Sequence, residues 1–314
     1  MIENHNKLVS VGMATYNGAS YIKKAIKSLL TQSYNNFELI ISDNASTDDT
    51  KSICLEFAKK DKRIRYIRQK KNMGMVANFN FVLKKAKGEY FMWASSDDFW
   101  HKEFIKKLYS LLEKNKDAVL AVSNFDNVYG DKHLYNLPIN KKNLVDQYTC
   151  LIHYLKFGEL SYFYGLYQTK IIKSIGGYHV DSRPFFKSSD YLTILKTLLK
   201  GKMVYTDEVL FFKRDTGYHF DRFELIKNLN LNKKVFKTIL RYLCFPLFYI
   251  YNLFFSIKYI LLSNFNLSQK SILSFYVFLS YLKNNLDFLR NIFLGFFYLF
   301  DGVYQKIIKK FFVF

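Results

Sequence analysis

The amino-acid sequence predicts an α/β fold with a mostly parallel sheet sandwiched by helices. Short apolar runs alternate with segments of helical period through residue 126. Three of those runs end in polar clusters, and the helical segments are long enough to serve as right-handed crossovers between parallel strands.

In chain order, "LVSVGMATYN" reads as a strand, and "ASYIKKAIKSLLTQS" as a helix with Ile22, Ala25, Ile26, Leu29 and Leu30 on one face. "NFELIISD" is a second strand and "TDDTKSICLEFAKK" a second helix. "RIRYIRQ" reads as a short strand, "GMVANFNFVLKKAK" as a helix and "EYFMWAS" as a strand. "KEFIKKLYSLLEKN" then reads as a helix and "AVLAVSNF" as a strand. In such sheets ligands bind beyond the carboxyl ends of strands. "TYNG", "DNASTDD" and "SSDD", each following a strand, should therefore converge on one edge.

Composition narrows the function classes. Half of the 314 residues are apolar, so the chain can bury a sizeable core and is not a disordered protein. Cys54, Cys150 and Cys244 are too dispersed for a zinc cluster, and their odd number argues against a disulfide framework, which suits a reducing compartment. "MIENHNKLVSVGMATYNG" shows no basic segment followed by an apolar one, so the amino-terminal part is expected to be cytoplasmic. The formal charge of +21 suits nucleic acid, an anionic membrane or an anionic substrate. No zinc-finger spacing, RNP-type aromatic segment or basic heptad accompanies it, so no nucleic-acid partner is expected. No GxGxxG or GxxxxGK[ST] follows any strand, which excludes the dinucleotide fingerprint and the Walker loop.

The adjacent Asp97 and Asp98 repel each other if both ionise, which calls for a positive partner. A divalent cation would serve, because Mg²⁺ or Mn²⁺ prefers oxygen ligands. Helix capping is the alternative: Asp97 and Asp98 precede a helix, as do Ser46, Thr47 and Asp48.

"VSVGMATYNGASYIKKAIKSLLTQSYNNFELIISDNASTDDT" and "NMGMVANFNFVLKKAKGEYFMWASSDDFW" resemble the amino-terminal signature and the Asp-x-Asp segment of the GT-A fold glycosyltransferases of family 2. The likeness extends more loosely through "SIGGYHVDSRPFFKSSDYLTILKTLLKGKMVYTDEVLFFKRDTGYHF", roughly the first 220 residues. It implies a GT-A-like, Rossmann-like domain over 1–220, with a nucleotide-binding part at 1–126 and an acceptor part at 127–220. It also implies an inverting, metal-dependent transfer of a hexose from a nucleotide-sugar donor to a glycan or lipid-linked acceptor, as in bacterial surface polysaccharide synthesis.

Position by position, the resemblance implies that Thr15, Tyr16 and Asn17 line the nucleotide and that Asp43 hydrogen-bonds the base. An acceptor carboxylate there suits the imide N–H of uracil or thymine, hence UDP- or dTDP-sugars. Asn72, Gly74 and Asn78 would sit near the sugar nucleotide. The Asp-x-Asp motif falls on Ser95, Ser96 and Asp97, so its first carboxylate is replaced. Asp97 would be the main ligand of Mn²⁺ or Mg²⁺, with Asp98 a donor-sugar or outer contact and Ser95 left to hydrogen-bond the ribose. Lys and Arg would then share the neutralisation of the diphosphate.

Inverting transfer needs a base to take the acceptor's proton. Asp190 matches the family's catalytic aspartate, although the Glu that often precedes it is Ser189 here, and a helix cap is the alternative role. Arg214 and His219 lie where the family carries groups that contact the leaving diphosphate or the metal. Two competing readings remain: transfer to a polyprenyl phosphate, and a membrane-bound scaffold without turnover, suggested by Ser95 and Ser189.

From Asp221 to Phe314 the chain changes character, with Lys and Arg outnumbering Asp and Glu between aromatic runs such as "YLCFPLFYIYNLFFSI". The uncharged run Tyr242–Ile257 is shorter than the roughly twenty residues that cross a bilayer, and Pro246 interrupts it. A basic, aromatic-rich helical appendage over 221–314 that lies on the inner face of the cell membrane is expected. An internal helical core or a dimer interface is the alternative.

Overall fold

The structure, a computed structural model, describes residues 6–129, 132–134, 144–179, 190–214 and 252–282. The chain divides into two compact units, Met1–Thr216 and Gly217–Phe314.

The first unit alternates as its periodicity dictates. It runs β1 (Val9–Thr15), α1 (Ala19–Leu30), β2 (Phe37–Asp43), α2 (Thr50–Lys60), β3 (Ile64–Arg68), α3 (Met75–Lys85) and β4 (Tyr90–Ser95). A two-residue strand, β5 (Phe99–Trp100), precedes α4 (Phe104–Lys114) and the long β6 (Ala118–Tyr129). Then follow β7 (Lys132–Leu134), α5 (Gln147–Phe157), a 3-10 helix (Leu160–Tyr164), β8 (Leu166–Gln168), α6 (Thr169–Ser174), α7 (Asp190–Leu198) and β9 (Lys202–Arg214).

The sheet order is β3-β2-β1-β4-β8-β6-β9-β5, with β7 paired to β6. The sheet is mixed. β3, β2, β1 and β4 are parallel, as the alternation predicts. β8 enters antiparallel between β4 and β6, β9 runs parallel to β6, and β5 closes the edge antiparallel to β9. β8 and β5 have two or three residues each, too short to leave a periodic signal.

Both faces of the parallel half are covered. On one, Val9, Val11, Met13, Leu39, Ile41, Tyr90, Met92 and Ala94 form a buried core with Ile22, Ala25, Ile26 and Leu29 of α1 and Phe104, Ile105, Leu108 and Leu112 of α4. On the other, Phe91 and Trp93 meet an aromatic group. Trp93 stacks on Phe163 of the 3-10 helix at 4.4 Å and 8°, and its indole N–H donates to the carbonyl of Phe79 in α3 at 3.0 Å. That ring therefore joins β4, α3 and the 3-10 helix.

Of the second unit, residues 252–261 and 267–282 are helical. Among the described residues no helix is long and apolar enough to cross a membrane.

Truncating Trp93 removes the stack and the indole's hydrogen bond to the Phe79 carbonyl. Trp93→Ala is expected to lower stability by about 3–5 kcal/mol, read by urea unfolding followed by far-ultraviolet circular dichroism.

Candidate active site

Strand register brings the three polar clusters together. Thr15 pairs with Asp43 across β1 and β2, and Ala14 pairs with Ser95 across β1 and β4. The loops after these strands leave one edge of the sheet side by side. At Gly18 the approach is closest: a Cβ there would lie 2.6 Å from the Thr15 hydroxyl and 3.0 Å from that of Ser96, so only glycine fits.

"TYNG" and "DNASTDD" are one hydrogen-bonded unit. Asn17 adopts a left-handed conformation (φ 51°), which Asn tolerates, and its Oδ1 accepts from the N–H of Thr47 at 2.9 Å. The N–H groups of Asn17 and Gly18 donate to the hydroxyls of Ser46 and Thr50, both at 2.9 Å. Asp48 accepts from the N–H of Ala19 at 3.0 Å and from the hydroxyl and N–H of Thr50 at 2.6 and 3.1 Å. Burial works against its charge, yet these bonds hold Asp48 below the usual carboxylate range. The capping role anticipated for Asp48 thus extends to the neighbouring helix, since Gly18 at the start of α1 has no side chain to cap with. Tyr16 remains half exposed, at 49%.

Asp43, at the end of β2, is wholly buried (0% exposed). Its Oδ1 accepts from the N–H of Ser46 at 2.8 Å, and its Oδ2 from the Tyr66 hydroxyl at 2.6 Å and Arg68 Nη1 at 3.0 Å. Burial opposes its ionisation, but the bonds from Ser46, Tyr66 and Arg68 hold it below the usual range. Asn78 is buried as well. Its Oδ1 accepts from the Ser42 hydroxyl at 2.5 Å, and its amide donates to the carbonyls of Ser42 and Thr15 at 2.9 and 3.4 Å. Asn72 Oδ1 accepts from Asn44 Nδ2 and from the N–H of Gly74, both at 2.8 Å, which ties the loop before α3 to the end of β2.

The acidic turn divides its two carboxylates. β5 follows Asp98 directly, and α4 starts only at Phe104, so neither aspartate caps that helix. Asp98 is 3% exposed and accepts from the backbone N–H of Arg214 at 2.8 Å. Burial first, and then the charge of Asp97, pushes Asp98 up to about 8, against the pull of that N–H and of Lys213 and Arg214. Asp98 is thus a buried latch between the turn and the end of β9. Asp97, half-buried, accepts from the hydroxyl of Ser95, and its carbonyl accepts from Arg214 Nε at 3.0 Å. The Arg214 guanidinium lies 4.9 Å from the Tyr21 ring centre and 5.6 Å from that of Phe99. Its two Nη groups make no hydrogen bond among the described residues.

Among the described residues no group of three His, Cys, Asp or Glu side chains is placed to hold a metal. Mg²⁺ and Mn²⁺ characteristically take one or two carboxylates and complete their shell with substrate phosphates. The oxygen donors of Asp97 and Ser95, with Arg214 beside them, fit that arrangement. His219 lies outside the described residues, as does Ser189.

Asp190 opens α7, and its Oδ1 accepts from the hydroxyl of Tyr178. No backbone N–H of its own helix reaches the carboxylate among the described residues, so the cap alternative lacks its bond. Burial raises Asp190 above the usual carboxylate value, while Tyr178 and the charge of Lys213 pull it back. Lys213 bears on both Asp98 and Asp190, and Tyr164 feels the charges of Asp97, Asp98 and Asp190. The acidic turn and Asp190 therefore share one environment.

Tyr66, Arg68, Tyr178 and Lys213 were not singled out in the sequence. A signal existed for two of them: Tyr66 and Arg68 alternate in "RIRYIRQ", on the strand next to Asp43. None existed for Tyr178 or Lys213.

Known proteins resemble this chain in sequence and in fold. The profile of "Glycosyl transferase family 2" matches residues 10–180. An uncharacterized glycosyltransferase of Haemophilus influenzae is 37% identical over 125 residues, 40% of this chain and 38% of that protein. Glycosyltransferase GlyA of Streptococcus pneumoniae is 32% identical over 166 residues, 53% of this chain and 22% of that protein. The matches thus span well under half the length of these relatives. Among solved structures, S. aureus TarS 1-349 in complex with UDP-GlcNAc superimposes with a TM-score of 0.65 at 19% identity, over 86% of this chain and 70% of that one. The mannosyltransferase PcManGT of Pyrobaculum calidifontis, in complex with GDP-Man and Mn²⁺, does so at 0.53 and 16%, over 90% and 88%. At such identities the structures establish a common fold, whereas the family profile covers more than half of the sequence: the chain belongs to glycosyl transferase family 2.

Proposed function

We propose that the protein transfers a hexose, with inversion, from a UDP- or dTDP-sugar to a hydroxyl of a glycan or lipid-linked oligosaccharide in bacterial surface polysaccharide synthesis. The observation that carries this reading is the shared environment of the acidic turn and Asp190, joined by Lys213. A base and a leaving-group site must face the same anomeric carbon, and the influence of Lys213 on both carboxylates supports that pairing.

The roles follow from the contacts. Asp43 reads the base through Oδ2, a step in which the imide N–H takes the place of Arg68 Nη1. Tyr16, Asn17 and Thr15 border the nucleotide, with Asn72, Gly74 and Asn78 shaping the loop beside the sugar. Asp190 takes the acceptor's proton as its oxygen attacks the anomeric carbon opposite the departing diphosphate. A carboxylate raised by burial is a stronger base than an exposed one, which suits a hydroxyl acceptor better than a phosphate. Arg214, whose Nη donors are unbonded among the described residues and whose backbone is pinned by Asp98, stabilises the negative charge that grows on the leaving diphosphate. Asp97, with Ser95, would hold Mn²⁺ or Mg²⁺, whose charge supplies further stabilisation there. The UDP-GlcNAc of the TarS complex and the Mn²⁺ of the PcManGT complex support this choice of donor and cofactor.

The second unit supports attachment to an anionic membrane surface. Phe254, Leu261, Leu267, Phe275 and Phe278 are exposed on its two described helices and Leu262 on the turn between them, in a region rich in Lys and Arg. The boundary with the catalytic domain is proposed near residue 220. Most of the run Tyr242–Ile257, Pro246 included, lies outside the described residues.

Three outcomes test the reading. Asp190→Asn should cut sugar transfer by about 10²–10⁴-fold while UDP affinity is retained. Full transfer by that variant favours a phosphate acceptor, and no transfer by the wild type with any UDP- or dTDP-sugar favours a scaffold. In calorimetric titration, Asp97→Ala should lose Mn²⁺-dependent UDP affinity and Ser95→Asp should gain it; an unchanged affinity in Asp97→Ala assigns the diphosphate to Arg214 alone. Finally, full-length protein should float with phosphatidylglycerol vesicles, partly resist release by salt, and detach when Phe275 and Phe278 are replaced by Ser. Indifference to such vesicles removes the membrane assignment.

A further inference from the structure

The aromatic cluster behind β4 ends in a hydroxyl that packing does not require. The Tyr178 ring lies 4.8 Å from Phe163, 5.6 Å from Phe79 and 6.2 Å from Trp93, a setting that a phenylalanine ring would fill equally well. The hydroxyl instead reaches the carboxylate of Asp190. We propose that Tyr178 is a positioning residue for Asp190, anchoring Oδ1 so that Oδ2 is the oxygen presented to the acceptor's proton. The inference rests on the reading of Asp190 as the base and adds the device that aims it.

Independent constraints fix both partners. Asn80 of α3 brackets the Tyr178 backbone: its Oδ1 accepts from the Tyr178 N–H at 2.8 Å and its amide donates to the Tyr178 carbonyl at 3.0 Å. The preceding turn needs glycine, because Gly177 has φ +71° and a Cβ there would lie 2.4 Å from Asn80 Oδ1. On the other side, the N–H of His179 donates to the Thr193 hydroxyl at 2.8 Å, one turn into α7 from Asp190. The loop that carries the tyrosine is thus bonded to the helix that carries the aspartate. Asp190 Oδ2 accepts no hydrogen bond among the described residues.

Several groups bear on this carboxylate. Among the described residues, Tyr154 from α5, Tyr164 from the 3-10 helix, Tyr167 from β8 and Tyr178 feel or bond this carboxylate, and Lys213 from β9 is the charged group that acts on it. Burial disfavours the carboxylate form, and the Tyr178 hydrogen bond opposes burial. Removing the hydroxyl leaves burial less opposed, so Asp190 keeps its proton to a higher pH.

The test uses full-length protein labelled with ¹³C at its aspartate carboxyls. The Asp190 signal is assigned by its loss in Asp190→Asn, and its midpoint is followed against pH by NMR. Tyr178→Phe should raise that midpoint by about one pH unit or more and leave UDP affinity unchanged. Asn80→Ala, which frees the bracket but keeps the hydroxyl, should raise it by less, and it serves alone if Tyr178→Phe does not fold. Phe79→Leu should lower the melting temperature and leave the midpoint in place. An unmoved midpoint in Tyr178→Phe overturns the proposal, as does an equal rise in Phe79→Leu, which would reveal general loosening. Full sugar transfer by Asp190→Asn would refute the base role and leave the titration result standing, so the two ideas fail separately.

Discussion

The register of β1 against its two neighbours is the constraint on which the site depends. Thr15 stands opposite Asp43 and Ala14 opposite Ser95, so the three strands release their chains at one level. Side chains alternate along a strand, and a slip of one residue would move Val9, Val11 and Met13 out of the core they share with α1 and α4. Hydrophobic burial therefore sets the alignment of the polar edge. Loops that would otherwise wander over the surface start from fixed points a few ångströms apart.

From that edge the structure separates charge by role. Asp43 and Asp48 lie within networks of donors that favour their ionised forms despite burial. Asp98 and Asp190 have fewer donors and are raised. The same side chain type is thus held ionised or kept protonatable according to how many N–H and O–H groups among the described residues meet it. Adjacent Asp97 and Asp98 coexist because one of them faces inward to a backbone N–H of β9.

The parallel half of the fold was legible because its strands and helices are long enough to repeat their periods. The later additions to the sheet were not, since β5 and β8 are too short and β9 gains its place through pairing with β6, a partner distant in sequence. Of the site, the positions at strand ends could be read from local pattern. What each bonds to could not: the Asn78 side chain meets Ser42 and Thr15, residues far from it in sequence. Tyr178 and Lys213 carry no local sequence signal, because they meet Asp190 only through the fold. His219 and Ser189 lie outside the described residues.

The hydrogen bonds that run from the loop after β2 to the start of α1 have a consequence for how such a protein can drift. Asp48 completes a helix to which it does not belong, and Asn17 takes its turn from Ser46 and Thr47. Substitutions in either loop are felt by the other, so their effects should be strongly non-additive, with a change at Asp48 tolerated or not according to what occupies Gly18 and Thr50. The two segments behave as one unit, and replacing either with a relative's version would have to bring both.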